Sequence, residues 1–225
     1  MPGYLTQHQS IAIAGVACLQ IRSLLDRQQF SDPQGVAQKA GISSAAWPIF
    51  GLLWPSGLLL AERLALRPVT TGERILEVGC GLGLASLVGH RRGADITASD
   101  CHPLAAAFLA ENLRLNGLPA MPYGLGDWAD VSAPGLMQVH GLFGLVIGSD
   151  VLYDRTASQL LAAFIGRHAE PQSEVWIVDP NRGNRVAFNH RMQDQGYSLN
   201  DERIHTAATA TRAAYRGHWL VYRRG

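Results

Sequence analysis

A short apolar strand that runs directly into a glycine-rich turn and then a helix is the feature of this sequence that most restricts its fold. Residues 74–78, RILEV, are predicted to form a buried strand, and the turn GCGLG follows at residues 79–83. Helix-forming residues occupy 84–92, and a second predicted strand, DITAS, occupies 95–99. A strand, a helix and a second strand in this order form a βαβ unit, in which the two strands are parallel.

Alternating strands and helices continue to the end of the chain. We predict further strands near Met121 and at residues 143–148, 174–179, 198–204 and 217–224, and further helices at residues 103–117, from residue 155 and at residues 184–196. This alternation, with mostly apolar early strands, predicts an α/β fold: a doubly wound, mostly parallel sheet of seven strands with helices on both faces. The last two strands lack a helix between them, so they should form an antiparallel edge.

The first part of the chain stands outside this alternation. We interpret residues 1–53 as an N-terminal helical extension packed on the core, and residues 54–225 as the main domain. The apolar segment 11–25 predicts a helix of that extension, because it is too short to span a bilayer and contains Arg22. Residues 1–10 lack the positively charged region of a secretory signal.

The net charge and the cysteine content limit the classes of partner that this chain is expected to bind. The chain has a formal net charge of +1 and no basic stripe, so it gives no electrostatic argument for binding nucleic acid or an anionic membrane. Its three cysteines, Cys18, Cys80 and Cys101, are odd in number and lack metal-ligand spacing, so we predict no metal site and a reduced, cytoplasmic chain. Small molecules and other proteins remain as partners, and the oligomeric state stays open, a monomer being compatible with the sequence.

In a doubly wound sheet, ligands bind beyond the carboxyl ends of the strands. Gly79 and Gly81, in the first of these loops, allow a tight turn and the close approach of a ligand at a helix N-terminus. Glu77 precedes them, and an acid there disfavours a pyrophosphate but suits a ligand that carries positive charge. The glycine spacing also departs from the dinucleotide pattern GxGxxG.

The next two loops carry acids and an aromatic residue. Asp100 follows the second strand, where a carboxylate can accept hydrogen bonds from both hydroxyls of a ribose. Asp127 and Trp128 lie in the third loop, where a base could be hydrogen-bonded and covered. Together these loops predict a nucleoside bound without a pyrophosphate, and S-adenosylmethionine fits that description.

The sequence resembles the seven-β-strand methyltransferases, which use S-adenosylmethionine, and more narrowly their methyltransferase family 16 branch, which consists mostly of protein-lysine methyltransferases. The resemblance extends from about Trp54 to Asp179 and rests on the motifs LLWPSG, ILEVGCGLGLASL, ASDCHPLAAAFLAENLRLNG, GDWAD and SDVLYD. It implies a set of cofactor-binding residues: Gly79 and Gly81 at the methionine part, Asp100 at the ribose, Trp54 and Trp128 in contact with the cofactor, Ser149 in the pocket wall, and Glu77 and Asp127 at acidic positions of the loops.

The motif SDVLYD places Asp150 and Tyr153 directly after an apolar strand, and the branch carries Asp-x-x-Tyr at that place. A lysine amine has a pKa near 10.4, so an enzyme that methylates it must bind the cation and then let it lose a proton. We expect Asp150 to attract the ammonium and Tyr153 to line an apolar channel that disfavours the charged form. The prediction is N-methylation of a lysine in a partner protein, with S-adenosylhomocysteine as the product.

Structural roles stay open for several of these residues. Asp150 could cap a helix, and Tyr153 could be an ordinary half-buried aromatic residue. Asp127 could only shape a turn. Trp54 and Trp128 could pack in the core without touching a ligand.

Other functions also stay open. A small amine or heteroaromatic molecule could be the methyl acceptor, or the chain could be a catalytically inactive cofactor-binding module that acts through interaction. Methylation of DNA or RNA is disfavoured, because no Asn-Pro-Pro-Tyr motif follows the fourth strand of the sheet. Asp179 and Arg182, after the fifth strand, could contact the substrate or form a turn with a surface ion pair.

Overall fold

Strands and helices alternate around a central sheet in this computed structural model, which describes residues 4–129, 138–209 and 212–225. In chain order the elements are β1 (Thr6–Ile13), β2 (Val16–Leu24), α1 (Val36–Lys39), α2 (Pro55–Leu66), β3 (Arg74–Val78), α3 (Leu84–Arg91), β4 (Asp95–Asp100), α4 (Ala105–Leu115), β5 (Tyr123–Leu125), β6 (Phe143–Ser149), α5 (Arg155–His168), β7 (Ala169–Asp179), α6 (Arg185–Asp194), β8 (Ser198–Thr206) and β9 (Tyr215–Arg224).

Seven strands form the central sheet, in the order β5-β4-β3-β6-β7-β9-β8. The strands from β5 to β7 in this order pair in parallel, and β9 is antiparallel to both β7 and β8. The predicted doubly wound, mostly parallel sheet with an antiparallel edge is therefore confirmed. The strand order reverses between β3 and β6, and this reversal places a crevice at the carboxyl ends of these strands.

Apolar side chains cover both faces of the sheet. On one face α2, α3 and α4 contribute fully buried residues such as Leu60 and Phe108. On the other face α5 and α6 contribute Leu161 and Phe188, which are equally buried. Strands covered on both faces form nearly continuous apolar runs, which is why β6, with the sequence FGLVIGS, is recognisable from the sequence.

The predicted start of α5 is also confirmed. Asp154 takes an extended conformation just before the helix, and its side chain accepts a hydrogen bond from the backbone N–H of Ala157 at 2.7 Å. This carboxylate satisfies one of the N–H groups that the first turn of a helix leaves free.

Residues 11–25 form most of a β-hairpin, so the prediction of a helix there is wrong. β1 and β2 pair antiparallel around a turn in which Gly15 takes a φ of 86°. Burial alternates along β1 because only one of its faces packs on the domain. The β-branched residues Ile11, Ile13 and Val16 favour extended backbone over helix. The N-terminal extension is therefore not mainly helical, while its boundary at residue 54 stays a prediction.

The hairpin is held to the domain by Asn112 of α4 and by Asn116, the residue directly after this helix. The Asn112 side chain accepts a hydrogen bond from the backbone N–H of Arg22 at 2.7 Å, and Asn116 accepts one from Gln20 at 2.9 Å. These bonds satisfy the strand edge of β2 that β1 does not pair. A local sequence pattern cannot reveal Asn112 as the partner of β2, because Asn112 lies 90 residues beyond Arg22 in the chain.

One apolar stretch, Ser44–Leu66, is long and apolar enough to cross a membrane by length and composition alone. In the structure it is broken into 3-10 turns at Ser44–Ala46 and Ile49–Gly51, followed by α2. A 12-residue helix is about 18 Å long, well short of the roughly 30 Å of a bilayer core. α2 also buries Leu60 and Leu64 in the protein core, as the helix of a globular domain does.

Candidate functional site

The glycine turn after β3 adopts the tight conformation that the sequence predicts. Gly79, Gly81 and Gly83 have φ values of 60°, 52° and 73°, in a region of backbone conformation that residues other than glycine rarely adopt. A Cβ atom on Gly79 would lie 2.8 Å from Cγ1 of Val151, and one on Gly81 would lie 2.8 Å from the carbonyl oxygen of Phe50. Both conformation and space therefore require glycine in this turn.

Asp100 connects this turn to the end of β4. Its carboxylate accepts hydrogen bonds from the backbone N–H groups of Gly81 and His102, both at 2.8 Å. Burial raises the pKa of Asp100, and these two hydrogen bonds act in the opposite direction. A carboxylate has about four lone-pair sites, so Asp100 can still accept hydrogen bonds from a ligand such as a ribose.

The side chain of Glu77 is bound to α3. Its Oε2 atom accepts hydrogen bonds from both the backbone N–H and the hydroxyl of Ser86, and the residue is only 3% exposed. Burial raises the pKa of Glu77 to about 7, with a further contribution from the charge of Asp100, and the Ser86 hydrogen bonds oppose this rise. Glu77 therefore ties β3 to the first turn of α3, and its contact with a cofactor stays a prediction.

Trp128 lies against the glycine turn. Its Cζ2 atom is 3.8 Å from the position that a Cβ on Gly79 would take. Its indole N–H is buried and finds no hydrogen-bond partner in residues 4–129, 138–209 and 212–225. Buried N–H groups in folded proteins nearly always have a partner, so, as far as the described residues are concerned, this donor is available to a ligand. Neighbouring Asp127 accepts from the backbone N–H of Ala129 at 2.9 Å and thus shapes the turn.

Trp54 and Ser149 both lie near the start of α2, Trp54 as the residue directly before it. Trp54 is half-buried, and its indole N–H donates to the carbonyl of Ile49 at 3.0 Å. Ser149, also half-buried, has its hydroxyl 3.5 Å from the position of a Cβ on Gly57 in α2. The structure thus brings Ser149 and the WPSG segment together, and the contact of each with a cofactor stays a prediction.

Phe50 and His102 belong to the same site, although the sequence analysis did not select them. Their rings stack with centroids 3.8 Å apart. Burial lowers the pKa of His102 to about 4, so the imidazole is neutral at physiological pH, and the nearby charge of Asp32 only partly opposes this shift. Nδ1 accepts from the backbone N–H of Leu104 at 3.2 Å, which leaves the proton on Nε2. That buried Nε2 has no hydrogen-bond partner in the described residues.

Asp150 follows β6 and faces a cation. Its backbone has a φ of 59°, and its Oδ1 accepts a hydrogen bond from the guanidinium of Arg182 at 2.9 Å. Because Asp154 caps α5, the alternative role of Asp150 as that cap is excluded. Tyr153 is 52% exposed, so it lies at the rim of the site. The expectation that it lines an apolar channel is therefore not met in this structure.

The end of β7 lies beside Asp150. Asp179 is fully buried, and its Oδ2 accepts from the backbone N–H of Arg182 at 2.8 Å, so the turn is present, but the guanidinium of Arg182 pairs with Asp150 rather than with Asp179. Tyr215, at the start of β9, shares a hydrogen bond of 2.9 Å with Ser56 of α2. No sequence spacing connects Tyr215 and Ser56, which are brought together only by the pairing of β9 with β7 and the packing of α2.

Comparison with known protein families gives a direct match. A model of a family described as lysine methyltransferase matches residues 44–195. The electron transfer flavoprotein beta subunit lysine methyltransferase of Xenopus laevis is 28% identical over 161 residues, which cover 68% of this chain and 62% of that protein. The mouse protein of the same name is 26% identical over 204 residues, which cover 88% of this chain and 74% of that protein. The chain thus spans less than two thirds of the Xenopus relative.

A solved structure supports the fold. The magnesium protoporphyrin IX methyltransferase of Synechocystis PCC 6803, with bound S-adenosylmethionine, matches with a TM-score of 0.57 and 17% identity. The match covers 88% of this chain and 89% of that one. At such identity the likeness shows the fold, which is that of the Rossmann-like methyltransferases.

Proposed function

The chain belongs to the lysine methyltransferase family whose model matches residues 44–195, and from this premise we propose that it transfers a methyl group from S-adenosylmethionine to a lysine side chain of a partner protein. One observation carries the proposal. Val151, the residue after Asp150, packs against Gly79, so the acid that would attract an ammonium adjoins the turn that would hold the cofactor. Methyl donor and acceptor must meet at such a place, because transfer requires the two to be in contact.

The residues of the site fit S-adenosylmethionine, the cofactor of this family. The turn at Gly79 and Gly81 leaves no room for side chains, and a turn built of glycines can bring its backbone close to a ligand. Asp100 retains lone pairs for the hydroxyls of a ribose. The buried donors of Trp128 and His102 have no partner in the described residues and can serve the polar atoms of a base or a methionine group.

The chain's own part in the reaction is to bind, orient and desolvate the acceptor. When bound, S-adenosylmethionine supplies the methyl group on a positively charged sulfur. At pH 7 only about one lysine in 10³ is uncharged, which corresponds to roughly 4 kcal/mol. Asp150 attracts the ammonium, and removal of water around the amine favours its neutral form. The proton can leave to solvent at the exposed rim near Tyr153 before the amine is enclosed.

We also propose that the protein acts as a cytoplasmic monomer on a protein rather than on nucleic acid. The cysteines Cys18, Cys80 and Cys101 are free thiols, as a reducing compartment keeps them. The net charge of +1 provides no attraction for a polyanion. The edge strand β8 exposes charged residues, including Asp201 and Arg203, and charges on an edge strand oppose pairing with a second sheet.

The test combines cofactor binding with acceptor identification. Calorimetric titration with S-adenosylhomocysteine should show binding, and labelled methyl groups should enter one protein band of a lysate and be recovered as methyl-lysine. Purified electron transfer flavoprotein beta subunit is the first single acceptor to try, because of the relatives' names. Lys39 is the only lysine of this chain, so label on the enzyme itself is easily assigned.

Each alternative has its own outcome. Label confined to small molecules would establish a small amine or heteroaromatic acceptor instead of a protein. Binding of S-adenosylhomocysteine without any transfer would favour an inactive cofactor-binding module. Absence of binding would contradict the proposal as a whole.

A further inference from the structure

Two carboxylates lie at the ends of adjacent parallel strands beside the glycine turn. Asp150 follows β6 and Asp179 ends β7, and the pairing of Ser149 with Val178 places the two acids side by side. The backbone N–H of Asp150 donates to the carbonyl of Val178 at 3.0 Å, which fixes the spacing of the two strand ends. Only Asp150 belongs to the Asp-x-x-Tyr motif, and Asp179 has so far been given only the hydrogen bond of its turn.

Asp179 carries an unsatisfied oxygen. The residue is 0% exposed, and its Oδ2 accepts from the backbone N–H of Arg182. Its Oδ1 is buried and finds no hydrogen-bond partner in the described ranges of the chain. Burial raises the pKa of Asp179, and the charge of Asp150 adds to this rise. A buried carboxylate oxygen without a partner is rare and points to a ligand that completes it.

A cation of the protein itself lies over the two acids. The guanidinium of Arg182 donates to Oδ1 of Asp150 at 2.9 Å, and its charge also opposes the rise in the pKa of Asp179. The Arg182 side chain is 36% exposed, so it reaches this position from the solvent side. Asp150 is only 13% exposed, so a cation that takes the place of the guanidinium keeps the buried acids paired, which loss of Arg182 without a replacement would not.

An aromatic side chain adjoins the same place. Tyr215 is 8% exposed, and burial together with the charges of Asp150 and Asp179 raises its pKa to about 12. Its hydroxyl is held by Ser56 at 2.9 Å. A neutral phenol beside two carboxylates is suited to a compact organic cation, because the ring attracts positive charge and the acids neutralise it.

We propose that Asp150 and Asp179 together bind the ammonium group of the acceptor lysine, and that Arg182 occupies this position until the acceptor displaces it. This inference rests on the proposed function. An ammonium group has three donors in a compact head, so it can reach both Oδ1 atoms without the fixed fork of a guanidinium. The site acts on acceptor binding, so changes in it should appear mainly in KM.

The experiment measures cation binding without requiring turnover. The probe is n-butylammonium, which has the end of a lysine side chain, titrated into the full chain with S-adenosylhomocysteine present and followed by ligand-observed NMR. Neutral n-butanol serves as the matched probe without charge. The variants are Asp179→Asn, which keeps an oxygen for the Arg182 N–H but removes the charge, and Arg182→Gln, with exposed Arg203→Gln as the control for loss of a positive charge.

Asp179→Asn should weaken n-butylammonium binding about tenfold or more, as expected for loss of one charge-assisted contact. Arg182→Gln should strengthen it, and Arg203→Gln should leave it unchanged. n-Butanol should show none of these changes. For a protein whose lysine is methylated, the KM should rise in Asp179→Asn and fall in Arg182→Gln. The affinity for S-adenosylhomocysteine should stay constant in both variants.

Several outcomes would overturn the inference. Wild-type binding of n-butylammonium by Asp179→Asn would show that Asp179 is only a turn residue. Weaker binding by Arg182→Gln would show that Arg182 is part of the acceptor site rather than its occupant, and this variant decides the matter if Asp179→Asn does not fold. Lysine methylation with unchanged KM in both variants would overturn the inference and leave the proposed function intact. Cation binding as expected without any lysine methylation would overturn the proposed function and leave the site intact.

Discussion

The carbonyl oxygen of Phe50 lies directly over Gly81, 2.8 Å from the position that a Cβ atom there would occupy. The segment before α2 is thereby folded onto the cofactor turn, 31 positions away in sequence by the residue numbers. Gly81 also has a φ of 52°, so conformation and contact both select glycine. The N-terminal part of the chain is therefore built into the site rather than added to a finished domain.

Replacing Gly81 with alanine should cost stability and cofactor binding together. A non-glycine residue at this φ costs about 1 to 3 kcal/mol, and the new methyl group must also displace the Phe50 backbone. Gly93→Ala is the matched control, because Gly93 has a φ of 82° but no atom within 4 Å of the added Cβ. Both variants should melt earlier, and only Gly81→Ala should lose affinity for S-adenosylhomocysteine in calorimetry. Equal affinities in the two variants would contradict the role of this contact.

Asp100→Ala should weaken the binding of S-adenosylhomocysteine by roughly 2 to 4 kcal/mol, because two hydrogen bonds to a charged group are lost. The change also removes the acceptor for the Gly81 and His102 N–H groups. Asp95→Ala, at the exposed start of β4, is the control and should bind like wild type. Calorimetry measures both, and an unchanged affinity of Asp100→Ala would rule out the ribose assignment.

Asp150→Asn should preserve the fold and cofactor affinity but reduce methyl transfer by at least about a hundredfold, the equivalent of one lost contact of nearly 3 kcal/mol to a charged group. Asparagine tolerates a positive φ as well as aspartate does, so the backbone at 59° is not strained by the change. Labelled methyl transfer and calorimetry on the same sample check both parts. Retained turnover would assign SDVLYD a structural role.

Glu77 should make the protein less stable as the pH rises. Its pKa is about 7 in the folded protein against an ordinary value of 4.5, so between these pH values the folded state binds more protons than the unfolded state. This contribution is complete below about pH 4.5 and is lost as the pH passes 7, and it amounts to roughly 3 kcal/mol. The free energy of unfolding, measured with urea at pH 5 and at pH 8, should fall more between these pH values in wild type than in Glu77→Gln. An equal fall in the two proteins would contradict this prediction.

Asn112→Ala should loosen the N-terminal hairpin. The change leaves the backbone N–H of Arg22 without its partner and also removes a bond to the carbonyl of Leu82, at a cost of about 1 to 3 kcal/mol. Hydrogen exchange of the Arg22 amide should accelerate, and the urea midpoint should fall. Asn200→Ala, on exposed strand β8, should change neither. A slow Arg22 amide in Asn112→Ala would mean that pairing with β1 alone holds β2.

Most strands and helices of the main domain were recognisable because their pattern is local. In RILEV the apolar residues Ile75, Leu76 and Val78 mark the buried strand β3, and GCGLG contains the glycines that a turn with positive φ values requires. The same reasoning failed for residues 11–25, where apolar residues occur without a clear period. There the edge of β2 that β1 does not pair is satisfied by Asn112 of α4 and by Asn116 directly after it, and a local pattern cannot reveal partners so distant in sequence.

By itself the sequence determined the order of the elements, the glycine turn, and the acids that end successive strands, because burial and turn geometry act on neighbouring residues. Only the tertiary structure decided where those side chains point. It turned Glu77 toward Ser86, placed Tyr153 at the rim, and set Arg182 over Asp150. Each of these depends on contacts between separate elements, and such contacts exist only when burial of the whole core has fixed the elements relative to one another.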